Sequence, residues 1–206
     1  FFIDTYPVEE ESGKLILLHE RTSTYKVGSP IVFAVVARDP MDPSQILPLT
    51  KAPRLKSVEW MQSFTPIEIP YASVSIEQKQ VYFEHDLTNP ETLWVINITG
   101  ITILGRHRAT VEVENSKGKD VGMFWFETAS YNVRVTYRGM EEWPPMFSSN
   151  ENLTINFTAV EFGSKAPHEL SNKCGWVEHV WDEKRGRPVK VNYTYMKLNN
   201  NTCQVN

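Results

Sequence analysis

The chain has 206 residues, of which 41% are hydrophobic and 12% aromatic, and its formal net charge is −4. This apolar content excludes a disordered chain, and the length suffices for one large β-sandwich or for a domain with a smaller second one. The slightly acidic balance gives no field that favours nucleic acid or an anionic bilayer, and no run of about 18 apolar residues predicts a membrane span. We therefore expect a folded chain with no nucleic-acid partner and no membrane span within these residues.

Short β-rich segments bounded by Pro, Gly, Asn and Asp dominate the sequence. Hardly any stretch keeps a helical period, and the 13 prolines leave little room for long helices in the first half. The segments that predict strands are 14–18, 31–37, 55–60, 81–84, 93–98, 109–113, 123–126, 131–137, 153–160, 176–181 and 189–196. The chain is therefore predicted to be all-β.

A proline-punctuated loop follows the predicted strand 31–37. It runs to about residue 54 and carries Ile46 and Leu47. Long excursions between strands often take part in binding. We therefore predict that Ile46 and Leu47 contribute to partner binding, with a passive insertion as the alternative.

Residues 13–128 carry a series of motifs in the order found in immunoglobulin-superfamily domains. Gly-Ser-Pro at 28–30 resembles the entry to strand B, Val-Glu-Trp at 58–60 resembles strand C with its core tryptophan, and 93–98 resembles strand E. The run VEVENSKG at 111–118 resembles the F–G region of intermediate-set domains. The resemblance implies an immunoglobulin-like β-sandwich.

Three residues depart from that family's pattern. Val35 and Val111 stand where the cysteines of the inter-sheet disulfide are expected, and Ala109 stands at the corner tyrosine. Two valines can fill the space of a buried disulfide. A β-sandwich of another superfamily or a jelly roll is the alternative fold.

The run 123–126, Met-Phe-Trp-Phe, places four large apolar residues in a row. Such a run indicates either a strand in a two-sided core or a strand with one face against a partner. We predict that Phe124, Trp125 and Phe126 belong to a protein–protein interface.

The segment 138–150 breaks the strand pattern with Pro144-Pro145 and a polar exit. We predict an immunoglobulin-like β-sandwich at 1–138, a linker at 139–149 and a small β-rich second domain at 150–206. The second domain is short for an independent sandwich, so we expect it to be incomplete, stapled by a disulfide, or packed onto the first.

Five N-x-[ST] sequons predict N-linked glycans, where about two would arise by chance. In 153–159 and 189–195 alternate apolar residues, Tyr193 and Tyr195 among them, are predicted to point inward and the sequon asparagines outward. The predicted glycosylation sites are Asn97, Asn152, Asn156, Asn192 and Asn200. They predict an extracellular location, as a secreted protein or the ectodomain of a membrane protein.

The chain has two cysteines, Cys174 and Cys203. In an oxidising compartment we expect them to form a disulfide that closes a loop of about 30 residues and contributes roughly 3.5 kcal/mol. Two free thiols in a reducing compartment are the alternative.

Catalytic and metal-binding signatures are missing from the sequence. It has no zinc-ligand spacing of histidines, no nucleophile elbow and no glycine-rich phosphate loop, so we predict no enzyme activity, no cofactor and no metal. The alternative metal site would use His168, Cys174, His179 and Asp182. The triplet Arg106-His107-Arg108 is predicted to be a solvated turn.

These observations favour an extracellular glycoprotein that acts as a recognition or adhesion module by protein–protein binding. Its partner would lie at the cell surface or within a membrane assembly. The alternative is a structural accessory ectodomain of a membrane complex, or a viral envelope or decoy glycoprotein. A third hypothesis, a secreted carbohydrate-active enzyme, would use Trp143, Trp176 and Trp181 to stack on sugar rings.

Overall fold

The computed structural model describes most of the chain and divides it into two compact units, Phe1–Ser130 and Tyr131–Asn206. The described residues are 1–19, 22–62, 65–116, 118–137, 152–162, 166–170, 174, 180–182, 186–190 and 192–206. Every regular element in these ranges is a β-strand, which confirms the all-β prediction. None of these residues forms a helix long and apolar enough to cross a membrane.

In the described ranges, eleven strands belong to the first unit and six to the second. Those of the first unit are β1 (Phe2–Glu11), β2 (Lys14–Leu17), β3 (Thr22–Lys26), β4 (Ile31–Arg38), β5 (Ile46–Leu47), β6 (Arg54–Gln62), β7 (Thr65–Glu68), β8 (Ser73–Phe83), β9 (Asp86–Thr99), β10 (Gly105–Asn115) and β11 (Gly118–Ala129). Those of the second unit are β12 (Asn132–Tyr137), β13 (Ile155–Val160), β14 (Val180–Asp182), β15 (Arg187–Val189), β16 (Tyr195–Asn199) and β17 (Thr202–Val205).

The first sheet has the order β1-β2-β8-β9-β4-β5, and a further pairing between β1 and β4 closes five of its strands into a barrel-like ring. Residues 2–7 of β1 pair with β4, and residues 8–11 pair with β2. At Ser12 and Gly13 the φ angles are 52° and 77°, as a tight type I′ hairpin turn requires. The closed ring differs from the expected open sheet of a sandwich, because β1 is long enough to serve two neighbours.

The second sheet has the order β3-β11-β10-β6-β7. A hydrophobic core lies between this sheet and β4 and β9 of the first, and the stacked rings of Phe33 and Phe124, with centroids 4.4 Å apart, belong to it. A second cluster packs on the opposite face of β4 and includes Leu17, Val36 and Val81. The first unit therefore has two cores that share β4 and β9.

His107 lies within β10 and is fully buried, so the predicted solvated turn at 106–108 is wrong. Its ring stacks on Phe126 at 5.1 Å between centroids, and neither ring nitrogen has a hydrogen-bond partner. Burial lowers the pKa of His107 below its ordinary value because it removes the charged form from water; the backbone of Gly105 opposes this effect. The core therefore disfavours the charged form of this imidazole.

We expect His107 to make the first unit less stable as the pH falls. Its pKa is lower in the folded state, so the unfolded chain binds the proton first and the free energy of unfolding falls with pH below about 6.5. The limiting slope for one such group is about 1.4 kcal/mol per pH unit. The free energy of unfolding, measured by urea titration between pH 7.5 and 5, should depend less steeply on pH in His107→Phe than in the wild type. Equal slopes would contradict this assignment.

The second unit contains a four-stranded sheet of order β12-β13-β17-β16 and the hairpin β14–β15. Because β12 pairs with β13 along its whole length, the segment 131–137 belongs to this unit, and the boundary lies eight residues before the expected end of the first domain. The predicted strand 189–196 is not continuous, since β15 ends at Val189 and β16 begins at Tyr195. Tyr193 and Tyr195 are 36% and 54% exposed and do not point inward as expected.

Cys174 and Cys203 form a disulfide, which confirms the prediction. Their Cα atoms are 5.8 Å apart, and 29 positions separate them in the sequence. Cys203 lies buried in β17, so the bond ties the segment at Cys174 to the sheet of the second unit.

Replacing both cysteines with serine should destabilise the second unit by roughly 3.5 kcal/mol, because the open chain gains conformational entropy when it unfolds. Hydrogen exchange resolved by peptide should speed up in 152–206 and stay unchanged in β4, β9 and β10. Faster exchange throughout Phe1–Ser130 would contradict the local effect.

Candidate binding surface

Strand β11 alternates regularly between core and solvent. Phe124 and Phe126 are fully buried in the core between the sheets, whereas Val121 and Met123 are 47% and 48% exposed and Trp125 is partly exposed. The prediction that Phe124 and Phe126 bind a partner is therefore wrong: they are core residues. Trp125 remains a candidate together with Met123 of the same apolar run, and the structure adds Val121 beside them. We call these three residues the β11 strip.

Two arginines of β10 flank the tryptophan of the β11 strip. The guanidinium carbons of Arg106 and Arg108 lie 5.0 and 5.5 Å from the Trp125 ring centroid, within the range of cation–π contacts. The register places Arg108 directly beside Trp125 on one side and Glu59 of β6 on the other. Arg108 donates to Glu59 Oε2 through Nε at 2.8 Å and through Nη2. Trp125 is thus held in a fixed position by charged neighbours.

The outward side chains of β10 change in charge along the strand. Arg106 and Arg108 lie at one end, and Glu112 and Glu114 lie at the other. Lys51 Nζ donates to Glu114 Oε1 at 2.8 Å, and this hydrogen bond lowers the pKa of that carboxyl group. Glu112 has Lys56 and Lys119 within 3.9 Å. The acidic end is therefore neutralised by lysines, while the basic end surrounds the exposed tryptophan.

Side chains cap the backbone at the outer edge of β11. Strand β3 pairs only with residues 125–129, so among the described residues the earlier part of this edge has no ladder partner, although β1 lies close to it at Ile3 and Thr5. There the Val121 N–H donates to Asp120 Oδ1 at 2.8 Å. The Met123 carbonyl accepts from the Thr5 hydroxyl at 2.8 Å.

The loop after β4 is ordered by its own polar groups. Arg38 Nη1 donates to the Pro43 carbonyl at 2.8 Å, and the Met41 N–H donates to Asp39 Oδ1 at 2.8 Å. The predicted binding residues Ile46 and Leu47 form the short edge strand β5 and are half-buried, with Ile46 packed on the second core. The most exposed apolar side chain of the loop is instead Met41, at 91%. No pattern in the sequence separates Met41 from Ile46, because both lie between prolines.

The predicted glycosylation sites differ in exposure. Asn152, Asn192 and Asn200 are exposed. Asn156 is half-buried in β13, where its Oδ1 accepts from Gln204 Nε2 at 3.0 Å. Asn97 lies within β9, and its Oδ1 is buried without a hydrogen-bond partner, which contradicts the expected water-facing position. Glycosylation itself remains a prediction at all five asparagines.

The alternative metal site is not assembled. Cys174 is in the disulfide, and His168 Nδ1 pairs with Glu161 Oε1 at 2.7 Å while its ring stacks on Tyr131. No group of three or more metal-binding side chains occurs in the described part of the chain. Residues 143, 176 and 179 and the side chains of 181 and 182, which the metal and sugar hypotheses also use, lie outside what the structure describes.

No protein family and no curated protein matches the sequence. The resemblance to the immunoglobulin superfamily therefore stays a resemblance, and the function has to be argued from the surface itself.

Truncations of adjacent residues in β11 should separate core from surface. Phe124→Ala should cost about 3–5 kcal/mol of stability, because it leaves a cavity in the core. Trp125→Ala should cost about 1 kcal/mol, since it removes contacts with Arg106 and Arg108 that are partly solvated. Chemical denaturation of both variants checks the difference. Similar losses in the two variants would make Trp125 a core residue and remove it from the candidate surface.

Proposed function

We propose that the chain is an extracellular recognition module that binds a protein partner through the β11 strip and Arg106. The observation that carries this proposal is a strip of two exposed apolar side chains that ends at a partly exposed tryptophan beside two arginines, on the outer face of a sheet whose inner face packs in the core. Tryptophan and arginine dominate binding hot spots, and methionine is enriched in interfaces. Packing of the core does not explain the strip, because Phe124 and Phe126 of the same strand point into the core whereas the strip is on the opposite face.

The strand pairing supports an immunoglobulin-like domain. The strands that resemble B and E, β4 and β9, pair in the first sheet, and those that resemble C, F and G, β6, β10 and β11, pair in the second. Val35 and Val111 are both buried in the core between the sheets, with Trp60 packed against it. Two buried valines in one core are what we expect where the disulfide of the resembled family is replaced by apolar residues. Domains of that kind commonly serve recognition at the cell surface.

The charges define the chemistry of the expected partner. Arg108 is already paired with Glu59, whereas the exposed Arg106 guanidinium contacts the Trp125 ring. A partner carboxylate can pair with Arg106 while an apolar side chain covers Met123 and Val121. We therefore expect a protein epitope in which an acidic residue lies next to apolar residues.

The second unit supports the extracellular location. It contains the disulfide and four of the five sequons. In its sheet, Asn156, Thr158, Thr202 and Gln204 share one polar face, and alternate residues such as Val135 and Phe157 share the other. A glycan at Asn156 would cover the polar face, so a partner is expected to bind elsewhere.

One observation favours the alternative of a structural accessory ectodomain. Val133, Tyr195, Met196 and Leu198 of the second unit are each about half exposed, between 48% and 54%. They lie on both edge strands of the sheet and on both of its faces, and exposed apolar side chains can mark surfaces that assemble with other chains. Aggregation of the purified chain without partners would support this alternative over the independent module.

Binding is tested with the purified chain against a displayed library of ectodomains, followed by affinity measurements on the partner found. Trp125→Ala should weaken binding by about 2 kcal/mol or more, close to 30-fold, with a fall in melting temperature of only a few degrees that matches its stability loss of about 1 kcal/mol. The matched control is Leu87→Ala, which removes a side chain that is 45% exposed on the first sheet. Equal affinities for the wild type and Trp125→Ala would overturn the assignment of the surface.

The location is tested by glycosylation. Protein from a eukaryotic host should lose mass on glycosidase treatment, and Asn152→Gln, Asn192→Gln and Asn200→Gln should each remove one glycan because these asparagines are exposed. Asn97→Gln is the internal comparison, since the buried Oδ1 makes Asn97 the least accessible of the five. No mass loss in the wild type would contradict the extracellular assignment.

A further inference from the structure

Two histidines that are far apart in the sequence meet at the end of the parallel pair β2–β8. The register pairs Leu17 with Phe83, and the Glu84 N–H continues the ladder by donating to the Leu17 carbonyl at 3.3 Å. Residues two positions further on lie on the same face of a parallel pair. Those residues are His19 and His85, and the fold brings them together across 66 positions.

The two imidazoles present nitrogen atoms to each other. His19 Nε2 and His85 Nδ1 are 3.2 Å apart, and the ring planes differ by 12°. Both side chains are exposed, so an ion can reach them from solvent. Tyr6 lies edge-on to His19, and Phe83 lies tilted against His85.

We propose that His19 and His85 form a binding site for a divalent transition-metal ion of the zinc type. Two ligands of a tetrahedral zinc ion with Zn–N bonds of about 2.0–2.1 Å are about 3.3 Å apart, close to the observed nitrogen separation. Imidazole nitrogen suits zinc, copper and nickel, whereas magnesium and calcium prefer oxygen ligands. Without metal these two nitrogens share a hydrogen bond, so one of them carries a proton. Metal binding would shift that ring to the tautomer with its proton on the other nitrogen, and rotation of the rings would then direct both lone pairs to one ion.

The neighbouring carboxylate does not complete the site. Asp86 Oδ1 accepts hydrogen bonds from the Thr88 N–H and hydroxyl, and Oδ2 accepts from Asn89 Nδ2 at 2.9 Å. These bonds hold Asp86 within its own turn. The site thus has two protein ligands in the described part of the chain, and water fills the remaining positions. We expect this site to bind its ion with lower affinity than a four-ligand structural site, and we expect the bound ion to exchange with ions in solution.

A metal ion bound to the two histidines would lie next to the β2–β8 pairing, which is one of the pairings that close the ring of the first sheet. The pairing of β2 with β8 covers three residue pairs, and the two histidines lie immediately beyond it. A metal ion that bridges them links the end of β2 to the β8–β9 turn. Because the ion binds the folded chain, it should raise the melting temperature of the first unit.

The experiment is a calorimetric titration of zinc chloride into the full chain, in a buffer that does not bind metals. We expect saturable binding of one ion per chain, at least a tenfold loss of affinity in both His19→Ala and His85→Ala, and unchanged affinity in the control His168→Ala. Zinc should raise the melting temperature of the wild type and leave that of the two variants unchanged. Magnesium should give no binding isotherm.

Folding of the variants is checked by melting without metal, and His19→Gln and His85→Gln replace any alanine variant that melts early. Absence of saturable zinc binding to the wild type would overturn the proposal. Binding that survives in both histidine variants would overturn it as well, because the ion would then lie elsewhere.

Discussion

The first unit depends on burying both faces of one strand. In β4, Ile31, Phe33 and Val35 pack into the core between the sheets, while Ala34 and Val36 pack into the second core on the opposite face. A strand in this position can carry no outward polar side chain, which explains the unbroken apolar run 31–37 in the sequence. Because β4 also pairs with β1, β5 and β9, any loss of its packing would affect the ring and the inter-sheet core together.

The all-β class and most of the strands could be predicted from the sequence, since alternation and turn residues are local signals. Strand β1 could not, because Pro7 and the acidic run at 9–11 hide it, and two different neighbours stabilise it. Closure of the ring depends on those long-range pairings. The apolar run 123–126 misled the prediction for a related reason: the alternation is visible only when buried Gly122 and Thr128 are counted with it.

The candidate surface was predictable in part. Trp125 was identified from its size and place in an apolar run, but Arg106 and Arg108 become its neighbours only through the register of β10 with β11. His107 shows the limit of local reasoning most clearly. A histidine between two arginines has the composition of a solvated turn. In strand β10, however, successive side chains point to opposite faces, so His107 points into the core and the two arginines point away from it. The same holds for His19 and His85, whose proximity follows from a parallel register that no local pattern encodes.

The side-chain caps on β11 bear on how the protein can expose an apolar strip and stay dispersed. An unpaired strand edge next to apolar residues invites another chain to add a strand, which is the first step of fibrous aggregation. Here Asp120 occupies the Val121 N–H and Thr5 occupies the Met123 carbonyl, so an incoming backbone would have to displace both. Side chains of another protein can still contact the face of β11, but its edge cannot pair with another strand unless these two caps are displaced. Two capped backbone groups therefore oppose open-ended polymerisation through this edge of the sheet.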